Sequence, residues 1–239
     1  MSVDLARRGA AEFVGSAALA ATVIGSGVMG ESLANGNAAI ALLGNTLATA
    51  AMLYALITAL GPISGAHLNP VVTFSALLRR EITLGSAATY AILQTLGCIA
   101  GAFLAHAMFE LPLIQIATNE RLGPAQWLSE SVATIALVSA ILLVSRFKPE
   151  SLALAVALTI AAGYWWTAST SFANPAITIA RSLSDTFAGI RPQDVPGFII
   201  AQFVGAALAT FACAWLYRDR AAQAVSTAAP ARSVSSSGG

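Results

Sequence analysis

Six stretches of this chain are apolar over enough consecutive positions to cross a bilayer, and two more begin in the same way but stop short. A membrane-spanning helix needs roughly 20 mostly apolar residues. Residues 10–29, 37–60, 84–109, 126–145, 151–167 and 195–217 fit that length, the fifth being the shortest. Residues 69–78 and 174–183 are helix-like but too brief to span. Each of these opens on an asparagine followed by proline, Asn69-Pro70 and Asn174-Pro175. Asparagine is a favoured helix N-cap, and proline fits the first helical position because the N–H it lacks would be unpaired there anyway. The two segments are expected to be half-helices that enter the membrane.

Composition sharpens this picture. Of the 239 residues, 57% are hydrophobic and 10% charged, whereas soluble chains carry about 25% charged residues. Lipid is therefore the expected solvent for most of the surface. The net charge of +1 and the absence of a basic run give nucleic acid nothing to bind. Cys98 and Cys213 stand alone in apolar stretches and read as small buried hydrophobes. No cleavable leader is expected at the N-terminus. Basic residues flank one side of the spans (Arg7, Arg8, Arg79, Arg80, Arg146, Lys148, Arg218, Arg220), and only Arg121 and Arg191 lie in loops on the other. By the positive-inside rule both termini are cytoplasmic. Trp127, Trp165 and Trp166 then fall near the outer interface and Trp215 near the inner one. The stretch 221–239 has no apolar periodicity and is expected to be a disordered tail.

The chain also repeats itself weakly. Glu12 recurs as Glu130, Asn69-Pro70 as Asn174-Pro175, and Gln94 as Gln202, in the same order and at near-equal displacements. Each copy holds three spans, an odd number, so the second lies upside down relative to the first. The expected fold is all-α: one channel-like membrane domain over residues 1–220, with six transmembrane helices and two half-helices. Its inverted repeats cover about 8–110 and 125–218.

Half-helices that meet at their N-termini bring unpaired N–H groups and partial positive charge to the membrane centre. The Asn69 and Asn174 amides can donate into a lumen beside them. The carbonyls of Gly65, Ala66 and His67, and of Thr170, Ser171 and Phe172, would form an acceptor ladder leading in. Such a site suits neutral solutes that accept hydrogen bonds and opposes cations. Glu12 and Glu130 are intramembrane carboxylates, which raises ion relay as one reading. Their symmetric placement favours the other, in which each accepts N–H bonds from a half-helix loop. His67 reads as a loop constraint, and His106 is alone, so neither a metal site nor a cofactor site is expected. No nucleophile motif or phosphate loop is present, so no enzyme is expected.

The segments SGAHLNPVVTF (64–74) and FANPAITIAR (172–181), with the paired Glu and Gln-x-x-Gly signatures, resemble the major intrinsic protein family of aquaporins and aquaglyceroporins. The resemblance runs over nearly the whole chain. It implies a six-helix bundle with two half-helices, one pore per subunit, and a homotetramer in the inner membrane of a bacterium. The first motif reads Asn69-Pro70-Val71 where most members have alanine third; the second, Asn174-Pro175-Ala176, is the usual one. Most members then carry an arginine that walls the outer constriction, and here that place holds Ile177. The family's usual spacing assigns the other walls to Thr49, to Ala162 or its neighbour Gly163, and to Ser171. The implied constriction is wide, weakly polar and without a fixed cation. The second loop looks most like a bacterial branch associated with arsenic resistance, which implies passage of arsenous acid and methylated arsenicals besides glycerol and water. A general glycerol facilitator is the alternative, and an ion-coupled transporter a more distant one. Arg181, one turn after Ile177, has two readings: a displaced vestibule cation, or a local partner of Asp185.

Overall fold

The computed structural model describes residues 3–228, with the side chains of 218–228 excepted, and every regular element in it is helical. α1 (Leu5–Leu33), α2 (Ala38–Ser64), α4 (Leu84–Met108), α5 (Pro124–Phe147) and α8 (Val195–Ala228) are long and apolar enough to cross a membrane. α6 (Leu152–Trp166) has 15 residues and is led in by a 3-10 turn, Pro149–Ser151. The half-helices are α3 (Pro70–Leu78) and α7 (Pro175–Arg181). Side-chain caps set where several begin: Asp4 accepts from the Arg7 N–H at α1, Asn37 from Ala39 and Ile40 at α2, and Thr83 from Ser86 at α4.

Residues 221–228 continue α8 and are not the irregular chain expected of them. The run is rich in alanine, which loses the least on entering a helix. The rest of the expected tail, 229–239, lies outside the described residues.

The two repeats pack by the same rules. α1 lies along α4 and α2, as α5 lies along α8 and α6, and α2 meets α6 between them. Each half-helix lies on the last helix of the other repeat, α3 against α8 and α7 against α4. Large apolar side chains such as Leu47, Ile92, Leu158, Ile200 and Phe211 face outward, as expected where lipid or a neighbouring subunit, not water, is the surroundings.

Where helices cross, glycine lets backbones approach. A Cβ on Gly97 would run into the Phe13 carbonyl oxygen of α1, and one on Gly205 into the Ser131 carbonyl oxygen of α5. These are equivalent positions of the two repeats, and small residues at such crossings are how membrane helices come close. Gly97→Leu is therefore expected to cost about 3 kcal/mol or more, since backbone cannot yield as a side chain would. Gly44→Leu, at a glycine with nothing within 4 Å of its would-be Cβ, should melt like the parent. Thermal unfolding of both variants in detergent decides it, and equal melting temperatures would refute this account of the crossing.

Candidate functional site

The two Asn-Pro steps meet at the centre of the bundle and hold one another. The Asn69 side-chain oxygen accepts from the Val71 N–H at 3.0 Å, and that of Asn174 accepts from Ala176 at 3.0 Å and Ile177 at 3.3 Å. Each amide nitrogen crosses to the other repeat. Asn69 Nδ2 donates to the Ala173 carbonyl at 2.7 Å, and Asn174 Nδ2 to the Leu68 carbonyl at 2.9 Å. With the oxygen facing helical N–H groups, neither amide can flip. An amide has two N–H donors, so one on each asparagine remains for the cavity that both residues line. Val71 does not reach that cavity. It is fully buried among Val138, Leu142, Ala206 and Ala209, so the extra methyls fill core.

The loops ahead of the half-helices are bent into left-handed backbone at non-glycine residues: Ala66 and Leu68 in one, Thr170, Ser171 and Ala173 in the other. Such residues cost roughly 1–2 kcal/mol each, and buried carboxylates hold them in place. Glu12 accepts from Ser64 Oγ (2.6 Å), the His67 N–H (2.9 Å), the Leu68 N–H (2.7 Å) and Gln94 Nε2 (2.8 Å). Glu130 accepts from the Phe172 N–H (2.9 Å), the Ala173 N–H (2.8 Å) and Gln202 Nε2 (2.6 Å). Gln94 and Gln202 donate onward to Thr73 and Thr178 of the half-helices, and His67 Nδ1 lies 3.0 Å from Thr73 Oγ1. Neither glutamate lines the cavity. With the loop N–H groups turned to the carboxylates, the carbonyls of Gly65, Ala66, His67, Ser171 and Phe172 accept no hydrogen bond among the described residues, and all five residues line the cavity. Thr170 is not part of that lining.

The cavity, about 350 Å³, runs from Arg79 and Ser145 at one end of the bundle, past Asn69 and Asn174, to Tyr164, Ile177 and Arg181 near the other. Of the residues that spacing suggests for the constriction, Thr49, Ser171 and Ile177 line it. Ala162 does not: it sits on the exposed face of α6, and Gly163 packs behind Ser171. α6 presents Leu152, Val156, Ile160 and Tyr164 to the lumen, four residues apart and hence on one face. Its contribution at this level is an aromatic ring whose hydroxyl lies 3.3 Å from Thr49 Oγ1.

Ile177 brings no cation to the cavity, but Arg181, one turn further along α7, lines it as well. Arg181 is buried, its Nε donates to the Ala188 carbonyl, and its guanidinium stacks 3.4 Å above the centre of the Phe172 ring. Asp185 is not its partner, for that carboxylate accepts from the Thr118 N–H and hydroxyl at 2.9 and 2.8 Å. Arg121, which sequence placed only in a loop, donates to the Gly189 carbonyl (2.9 Å) and lies 5.0 Å from the same Phe172 ring. It ties the α4–α5 loop down over the site, and burial pulls its guanidinium below the usual arginine range. His106 does similar work, with Nδ1 2.9 Å from the Leu113 carbonyl and Nε2 2.9 Å from Ser184 Oγ. Among the described residues no group of His, Cys, Asp and Glu is placed to hold a metal.

An all-helical bundle of inverted repeats, with two capped half-helices facing a cavity along its axis, defines a membrane channel. Comparisons with known proteins agree. A family model described as "Major intrinsic protein" matches residues 1–145. The chain is 50% identical to aquaglyceroporin AqpS of Rhizobium meliloti (strain 1021) over 213 residues, 89% of this chain and 91% of that protein. It is 36% identical to the probable aquaporin PIP2-8 of Oryza sativa subsp. japonica over 105 residues, 44% of this chain and 37% of the relative. Its fold matches the X-ray structure of the aquaglyceroporin from Plasmodium falciparum with a TM-score of 0.64 at 17% identity, covering 94% of this chain and all of that one. The chain belongs to the major intrinsic protein family, whose members are channels and not enzymes.

Proposed function

We propose that the protein is a passive channel for small uncharged polyhydroxy solutes, conducting glycerol, arsenous acid and methylated arsenicals as well as water. The observation that carries this reading is the mixed lining of the lumen. Leu53, Leu137, Val156 and Ile160 belong to one apolar cluster with Ile141 packed against it, and they share the cavity with the unpaired loop carbonyls and the two asparagine amides. A solute with a hydrocarbon or arsenic face and a row of hydroxyls is matched by both kinds of lining, whereas an ion finds apolar surface in place of part of its shell. Glu12 and Glu130 are occupied by the loops, which leaves no free carboxylate beside the Asn-Pro steps for ion coupling among the described residues. The channel sits in the bacterial inner membrane as a homotetramer with a pore in each subunit and both termini cytoplasmic.

Light scattering on proteoliposomes tests the reading, with arsenite uptake in the same vesicles. The parent is expected to pass glycerol and arsenous acid well above protein-free vesicles. Ile177→Arg, which sets a long side chain across the lumen, should lower both by about tenfold, equivalent to ~1.4 kcal/mol of barrier. A parent that conducts water alone would remove the polyol reading.

A further inference from the structure

We propose that Arg181 is a specificity-determining residue of this pore, supplying from one helical turn further along α7 the fixed charge and N–H donors that Ile177 cannot. The inference rests on the channel reading above and deepens it. Arg181 stands four residues after Ile177, so the two share a face of the half-helix, and helical side chains lean back toward the N-terminus. That lean brings the guanidinium to the level of Ser171, Phe172 and Tyr164, all of which line the same end of the cavity.

What the guanidinium does there follows from its partners. It carries five N–H bonds. Nε uses one on the Ala188 carbonyl, and among the described residues neither terminal nitrogen donates to protein. Among the described residues no carboxylate pairs with it either: the ion pairs there are Arg7 with Asp4, Arg79 with Glu81, and Arg191 with Glu120 and Asp194. One face of the group is covered by Phe172, whose ring is held edge-on by Phe198 at 5.2 Å. A buried charge with unpaired donors is costly unless something meets them. The lumen is the side left open, so its contents, water or a solute hydroxyl, complete the shell. Arg121 shares the Phe172 ring but spends its Nε on Gly189 and does not line the cavity, so it braces the ring without entering the path.

The constriction is thus composite: Ile177 gives an apolar wall where a solute's carbon or arsenic face passes, and Arg181 binds the oxygens and repels cations. In proteoliposomes, Arg181→Met is expected to raise potassium conductance about tenfold and to shift the glycerol-to-urea permeability ratio. Returning the charge in Ile177→Arg/Arg181→Met should restore potassium exclusion. If Arg181→Met does not yield folded protein, Arg181→Lys serves: it keeps exclusion through its charge but, with a different donor geometry, shifts the glycerol-to-urea ratio. A parent that passes no neutral solute overturns the channel reading and this inference together. A conducting parent whose arginine variants keep the parental exclusion and the parental ratio overturns this inference alone.

Discussion

Glu12→Ala is expected to leave almost no folded channel in the membrane. The carboxylate holds four donors at 2.6–2.9 Å, two of them backbone N–H groups of a loop with left-handed residues at Ala66 and Leu68. Glu12 is wholly buried, as is Gln94, so water cannot take its place. Removing one side of such a buried, charge-assisted network costs about 3–5 kcal/mol, a large part of the roughly 5–15 kcal/mol that holds a typical domain together. Glu12→Gln should be milder yet still harmful, because it turns an amide N–H₂ toward a group that is itself a donor. The inverted copy makes the same claim for Glu130→Ala. Thermal stability and monodispersity in detergent are the measurements. A Glu12→Ala protein melting within a few degrees of the parent would show that the loop is held by something else.

The second large effect is at the midplane. Asn174→Asp removes the N–H₂ that donates to the Leu68 carbonyl at 2.9 Å and sets an anionic oxygen against that carbonyl. The loss of the bond together with the new repulsion is about 2–3 kcal/mol at a position that orders both loops. A negative charge would also replace a donor beside the path, favouring cations where the parent opposes them. Neutral-solute permeability of reconstituted Asn174→Asp is expected to fall at least about tenfold, with a cation leak appearing. Asn69→Asp should behave alike, since its partner carbonyl, on Ala173, is 2.7 Å away. Unchanged glycerol flux in either variant would mean that the amides are dispensable.

The fold and the centre of the site were legible because their chemistry is local. An Asn cap followed by proline states where a half-helix begins, and a glutamate in each repeat states that something polar at that depth needs acceptors. The far end of the lumen was harder to read. Reaching α6 from Asn174 means counting across an irregular loop, and an error of two residues turns the lumen-facing Tyr164 into the outward-facing Ala162. Within α6 itself the four-residue period from Leu152 to Tyr164 carries the correct phase. Arg181 misled for another reason. Its neighbour Asp185 is one turn away and of opposite charge, but Thr118 and Gln115, distant in sequence, hold Asp185 through its side chain and its N–H. The aromatic face of Phe172 then takes the arginine. Both outcomes are decided by tertiary partners that local spacing does not encode.

The exchange between repeats bears on how the chain is built as well as on what it conducts. α3 rests on α8, α7 rests on α4, and each asparagine finishes its hydrogen bonding on a carbonyl of the opposite copy. A chain that ends at α4 has Asn69 and Leu68 without their counterparts, and α3 packed against α4 but not against α8. The lumen is lined by both copies at once, so neither repeat by itself encloses it.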